Sequence, residues 1–85
     1  MASVQLIVLD VLKPHQPNAL EFAHAIAALG KSYRVTIRVV EVDEQTETLQ
    51  VSIEGEGLDF ERINDTIDEA GASLHSIDEV CVVGK

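Results

Sequence analysis

The sequence predicts an α+β domain in which two helices cover one face of a four-stranded antiparallel sheet. Three observations predict it. Two segments with apolar residues at helical spacing, 17–29 and 59–70, alternate with four strand-like runs. Each helical segment is followed by a glycine, Gly30 or Gly71. The chain has 85 residues, enough for a single domain spanning residues 1–85.

Val4 to Leu12 reads as the first strand. Val4, Leu6, Val8 and Leu12 share one side, and Ile7, Leu9 and Val11 share the other. A strand apolar on both sides is central in its sheet and covered twice. Asp10 interrupts one of those faces. Pro14 and Pro17 hold Lys13 and Gln16 extended, so the strand leaves through a stiff corner. The first helix opens either with Pro17 in its first turn or with Asn18 and Glu21 as a capping box. It runs to Leu29, buries Phe22, Ile26 and Leu29, and stops at Gly30 as a left-handed terminator.

Tyr33 to Asp43 is the second strand, in which Val35, Ile37 and Val39 alternate with Arg34, Thr36 and Arg38. Val40 and Val42 change parity, which indicates a bulge or a second covered face. Glu44 to Glu47 form the expected hairpin connection. Thr48 to Glu54 alternates most clearly, with Leu49, Val51 and Ile53 inward. After the loop Gly55-Glu56-Gly57, Asp59 is an N-cap, and Leu58 and Ile63 have the spacing of a hydrophobic staple. The second helix buries Phe60, Ile63, Ile67 and Ala70 and ends at Gly71. Ser73 to Val83 is the last strand, with a break expected near Asp78-Glu79.

Strand, helix, strand, strand, helix, strand is the split βαβ or ferredoxin-like βαββαβ plan, with strand order 4-1-3-2. The helices cover one face only. The other side of the first strand, with Val40, Val42 and Val82, would then face water in a monomer. Burying one such side chain is worth about 1.5–3 kcal/mol, and an uncovered patch of that kind marks an interface. A homo-oligomer that covers the far face or a sheet edge is therefore expected.

Hydrophobic residues make up 46% of the chain and aromatics 4%, so the core must be aliphatic. The formal net charge of −9 argues against nucleic acid and against anionic membrane surfaces, and suits cations or basic partners. Solubility is its simplest explanation. With one cysteine, Cys81, no internal disulfide can form, and three histidines beside it make no zinc-finger spacing. Cys81 lies among valines and is expected to pack. The apolar run Leu6 to Leu9 is too short to span a membrane and has no basic flank, so the cytoplasm is the expected compartment. Gly55-Glu56-Gly57 precedes a helix, but its glutamate and the acidic helix start would repel a phosphate.

The antiparallel plan gathers polar groups at one end of the sheet: Asp10, His15, Glu41, Asp43 and His75, with Asp68 and Glu69 at the end of the second helix. Asp10, Lys13, His15 and His75 are the candidate ligand-binding residues. Asp10, His15, Asp43, His75, Asp78 and Glu79 are the candidate metal ligands. Carboxylates alone suit Ca²⁺ or Mg²⁺, and histidine shifts the preference toward Zn²⁺, Ni²⁺ or Mn²⁺. The plainer reading is a solvated acidic cluster. For Asp10 it is a structural hydrogen bond, from His75 on the neighbouring strand or from backbone of the corner. His24, three residues after Glu21, is expected to be exposed.

The run Val8-Leu9-Asp10-Val11-Leu12-Lys13-Pro14-His15-Gln16-Pro17 resembles the DUF211 family, best known from archaea. So do Leu58-Asp59-Phe60 and the segment Gly71 to Val80. The resemblance covers nearly the whole chain in order. It implies a ferredoxin-like fold and assembly into higher-order homo-oligomers, rings among them. It implies no biochemical activity, so no catalytic residue is carried over. The first expectation is a non-enzymatic oligomeric module that binds a divalent cation or small ligand at the sheet end or between subunits. The alternatives are an enzyme using Asp10 and His75 as a base and its orienter, and a purely structural or protein-interaction assembly.

Overall fold

The computed structural model describes residues 2–84. Its elements follow the expected order: β1 (Ser3–Pro14), α1 (Ala19–Ala27), β2 (Arg34–Val42), β3 (Thr46–Glu54), α2 (Phe60–Glu69) and β4 (Ser73–Val83). The four strands form one antiparallel sheet in the order β2-β3-β1-β4, so β1 is central as expected. The architecture is the ferredoxin-like α+β fold.

Ile7, Leu9 and Val11 of β1 face the helices and are buried. Their cross-strand partners on β3 are Ile53, Val51 and Leu49, also buried, because residues directly opposite share a face. Phe22 and Ile26 of α1, with Ile63 and Ile67 of α2, close the core from above. The opposite face is built from Leu6, Val8, Asp10 and Leu12 of β1 beside Thr48, Gln50, Ser52 and Glu54 of β3. That outer face is polar on β3 and leaves Leu12 of β1 exposed, and the other exposed apolar side chains of the sheet lie on its edge strands. On β2 they are Val39, Val40 and Val42, and on β4 they are Ile77, Val80, Val82 and Val83. Register puts Val80 opposite Ile7 and Val42 opposite Glu47, on the helix side of the sheet. The uncovered apolar surface of the sheet thus lies along the two edge strands, with Leu12 of the central strand as the exception. The expectation that Val42 and Val82 belong to the far face is corrected accordingly.

Bulges shape the edges. Val40 is skipped between the pairs Val39–Leu49 and Glu41–Thr48, which explains the change of parity there. β4 is continuous. The expected break at Asp78 is a register shift between Glu79 and Ile77, and a second shift falls at His75. Cys81 is exposed on this edge strand, not packed.

The helix ends divide the two glycines. Asn18 caps α1 with a full capping box: its side chain accepts from the Glu21 amide, and the Glu21 carboxylate accepts from the Asn18 amide. Pro17 therefore lies just before the cap. α1 ends at Ala27, with Ala28 as a right-handed C-cap, two residues earlier than expected. Gly71 does adopt the left-handed conformation, at φ +77°. Gly30 does not, and its reason is steric. A Cβ there would lie 2.7 Å from the Tyr33 ring. That ring holds its hydroxyl 2.8 Å from the amide of Asp59, the N-cap of α2. Gly30→Ala should force the ring aside, loosen that contact and destabilise the fold by about 1–3 kcal/mol, the usual cost of overpacking. Chemical denaturation of the variant, with the α2 N-terminal amides followed by hydrogen exchange, measures both effects.

Candidate functional site

Lys13 and Glu47 extend the inward-facing rows of β1 and β3 by one step each, and they are directly opposite in the register. The row Ile7, Leu9, Val11 therefore ends on a lysine that is 0% exposed. Burying an ammonium in this way is costly unless it is paired and hydrogen-bonded. Its Nζ lies 3.0 Å from Glu47 Oε1, donates to the Pro14 carbonyl at 2.8 Å, and donates to the Pro17 carbonyl. The proline corner, with a cis Gln16–Pro17 peptide, thus wraps the ammonium with backbone oxygens.

The other carboxylate oxygen of Glu47 lies 3.2 Å from His15 Nδ1. His15 Nε2 lies 3.0 Å from the Asp43 carbonyl and 2.9 Å from the Glu44 carbonyl. All three partners of the ring are acceptors, so both ring nitrogens are donors when every contact is made, which is the imidazolium form. Hydrogen bonding to Glu47 is the main cause that raises the His15 pKa above its ordinary 6.5, with the Glu44 carbonyl next. The Glu47 carboxyl is held below its ordinary value, first by Lys13 and then by His15. The chain Lys13–Glu47–His15 ties the β1–α1 corner to the β2–β3 hairpin.

The outer face holds a second polar group. His75, at the second bulge of β4, lies with Nδ1 3.3 Å from Asp10 Oδ2. The side chains are 77% and 32% exposed, so this contact is wet. Beside it an open cleft of about 510 Å³ is bordered by Asp10, Arg38, Gln50, Thr48 and Asp78. Asp78 accepts a hydrogen bond from Ser76 Oγ at 2.6 Å.

The candidate residues thus fall into two groups. Asp10, His75, Asp78 and Glu79 belong to β1 and β4, and Glu79 is paired opposite Val8. His15 and Asp43 meet at the corner and hairpin, where Asp43 contributes its backbone carbonyl to the ring. Lys13 is enclosed by its own partners and presents no ammonium to a ligand. Among the described residues, no three His, Cys, Asp or Glu side chains are grouped to hold a metal ion. His24 is exposed, as expected. Glu47, expected in the hairpin connection, belongs to β3 and is the functional residue absent from the candidates. Its inward parity with Leu49, Val51 and Ile53 was the available signal.

A small α+β domain with this buried polar corner is matched over residues 5–85 by the model of the DUF211 family, described as uncharacterized ArCR. The chain belongs to that family. It is 45% identical over 85 residues to an uncharacterized protein of Methanocaldococcus jannaschii, an alignment that covers 100% of this chain and 87% of that protein. Among the described residues, no helix is long and apolar enough to cross a membrane.

Two outcomes follow for the corner. Glu47→Ala leaves a buried ammonium without its counter-ion and should cost about 3 kcal/mol, the low end for breaking a buried pair. Lys13→Met removes the charge with the stem preserved and should cost less; urea denaturation ranks the two. For pH, a raised His15 pKa means the folded state binds its proton more tightly than the unfolded chain. The His15 contribution is therefore fully present below pH 6.5 and is lost as pH rises through the elevated value. The Glu47 contribution is present above its unfolded value of 4.5 and is lost as pH falls through the depressed one. Protection of the hairpin amides should be greatest between these limits, and His15→Ala should abolish its decline on the alkaline side.

Proposed function

We propose that this chain is a non-catalytic module that works as a homo-oligomer in the cytoplasm. One observation carries the reading. The edge strands present apolar side chains to water, with Val40 and Val42 62% exposed on β2, and Ile77 50% and Val80 57% exposed on β4. Side chains on an edge strand beside unpaired backbone groups are a surface that folded proteins usually cover or charge. Completing the burial of a half-covered Val or Ile is worth about 1 kcal/mol, so these four with Val39, Val82 and Val83 supply about 7 kcal/mol. Association costs about 4–15 kcal/mol in lost freedom. Apolar contact alone is thus marginal, and the reading requires polar pairing alongside it.

Sedimentation velocity over a dilution series from about 100 μM to 1 μM tests the proposal. A species larger than a monomer that persists at the lowest concentration is the expected result. A monomer across the whole range overturns it.

A second reading rests on the contact of Asp10 with His75 beside the outer-face cleft. Here a small ligand or divalent cation would bind at the Asp10–His75 pair, with water completing the shell of a cation. Titration with Mg²⁺, Mn²⁺ and Zn²⁺, with the thermal midpoint and the His75 ring signals followed, should show saturable shifts that Asp10→Ala removes. No shift with any of the three rejects the cation.

A further inference from the structure

The outer face of the sheet carries charges of both signs on one row. Register places Arg38 of β2, Gln50 of β3 and Asp10 of β1 side by side, followed by Ser76 of β4. Arg38 and Asp10 are thus two strand spacings apart, about 10 Å between Cα atoms. Gln50, which is uncharged, stands between them. Arg38 is one of only six Lys and Arg residues in a chain of net charge −9, yet it is not consumed by an acid. Among the described residues, the ion pairs are Lys13–Glu47, His15–Glu47 and His75–Asp10. The contact of Asp10 with His75 uses Oδ2 alone.

The gap between the two charges is open. The cleft of about 510 Å³ on this face is bordered by Asp10, Arg38, Thr48, Gln50 and Asp78, and its size is that of a small-molecule site. A smaller hollow of about 250 Å³ adjoins it, sharing Asp10 and Thr48, and is lined further by Leu12 and His75. Leu12 lies two residues along β1 from Asp10, about 7 Å away. It is 42% exposed, which leaves an aliphatic surface beside the carboxylate. The two hollows together present a cationic end, an anionic centre and an apolar flank.

We propose that this cleft takes a zwitterionic α-amino acid with an aliphatic side chain. This rests on the ligand reading of the Asp10–His75 pair given above and names the chemical class. The Arg38 guanidinium donates two parallel hydrogen bonds to the ligand carboxylate, for which its planar fork is suited. Asp10 accepts from the ligand ammonium, and Gln50 and Thr48 offer neutral hydrogen bonds beside it. The fit is one of length. A molecule with its ammonium and carboxylate on the same carbon, hydrogen-bonded at each end, spans about 9 Å. That is close to the separation of Asp10 and Arg38, and the side chain then lies toward Leu12. Charge selects the zwitterion over its parts. A simple carboxylate is repelled by the net charge of −9 and by Asp10 and Asp78 at the cleft. A simple amine leaves Arg38 unpaired. A molecule with both groups satisfies both ends and carries no net charge.

Titration of the isotopically labelled protein with L-leucine to about 20 mM, read by nuclear magnetic resonance, tests the proposal. Saturable shifts centred on the amides of Asp10, Thr48 and Gln50 and on the Arg38 side-chain N–H are the expected result. Isoamylamine, which lacks the carboxylate, and isocaproate, which lacks the ammonium, should each bind at least tenfold more weakly. Arg38→Gln and Asp10→Asn should each weaken L-leucine by at least tenfold, with the amide spectrum of the folded chain retained. L-leucine binding that survives Arg38→Gln, or isoamylamine binding as tightly as L-leucine, overturns the proposal. Zn²⁺ separates it from the broader reading. If Zn²⁺ shifts the His75 ring signals and L-leucine shifts nothing, this ligand class is wrong while a cation site stands. If neither shifts any signal, the zwitterion and the cation fall together.

Discussion

The buried pair between Lys13 and Glu47 is the constraint on which the upper end of the molecule depends. Everything below it on the same face is aliphatic: Ile7, Leu9 and Val11 stack against Leu49, Val51 and Ile53 beneath two short amphipathic helices. The helices have 9 and 10 residues, about 15 Å each, whereas β1 has 12 residues and extends about 40 Å. The helices cannot cover the whole length of the sheet. Where cover ends, the inward positions turn from apolar to charged, and the proline corner folds over the ammonium with its own carbonyls. A lysine is suited to this position because its stem packs like an aliphatic chain and its head needs only oxygen partners.

The second feature of the architecture is the unequal treatment of the two sheet boundaries and the outer face. The outer face of β3 is fully polar, and β1 contributes Asp10 at its middle. Val8 is protected there by its neighbours, with 8% exposure despite lacking a covering layer, whereas Leu12 nearer the end of the strand is exposed. The edge strands have no such protection. Their bulges at Val40, His75 and Asp78 and their charges, Arg34, Arg38 and Glu41 on β2 and Asp78 and Glu79 on β4, are devices that prevent indiscriminate pairing. Specificity arises when the same devices repel one partner and attract another.

The fold was legible in the chain because local signals agreed with one another. Alternation in β3, capping at Asn18 and Asp59, and the left-handed Gly71 each pointed to the same plan, and each appears in the molecule. Gly30 shows where such signals mislead. A glycine after a helix is read as a terminator, but this one makes room for an aromatic ring three residues later, a contact set by tertiary packing. Cys81 is a similar case: valine neighbours suggest a core position only if the strand is covered, and β4 is an edge. The site was half legible. The Asp10–His75 contact could be anticipated from two strands being adjacent. The Lys13–Glu47–His15 chain could not, because Glu47 sits in a polar run that reads as a turn, and a charged pair at inward positions contradicts the usual rule that charges face water.

Tyr33 ties three segments together through its ring against Gly30 and its hydroxyl at the cap of α2. It is the sole tyrosine, and the chain has no tryptophan. Excited beyond the absorption of its two phenylalanines, this protein therefore emits from one fluorophore seated at the junction of both helices with β2. An optical signal from the native chain reads the docking of that junction, with no label required and no second chromophore to disentangle.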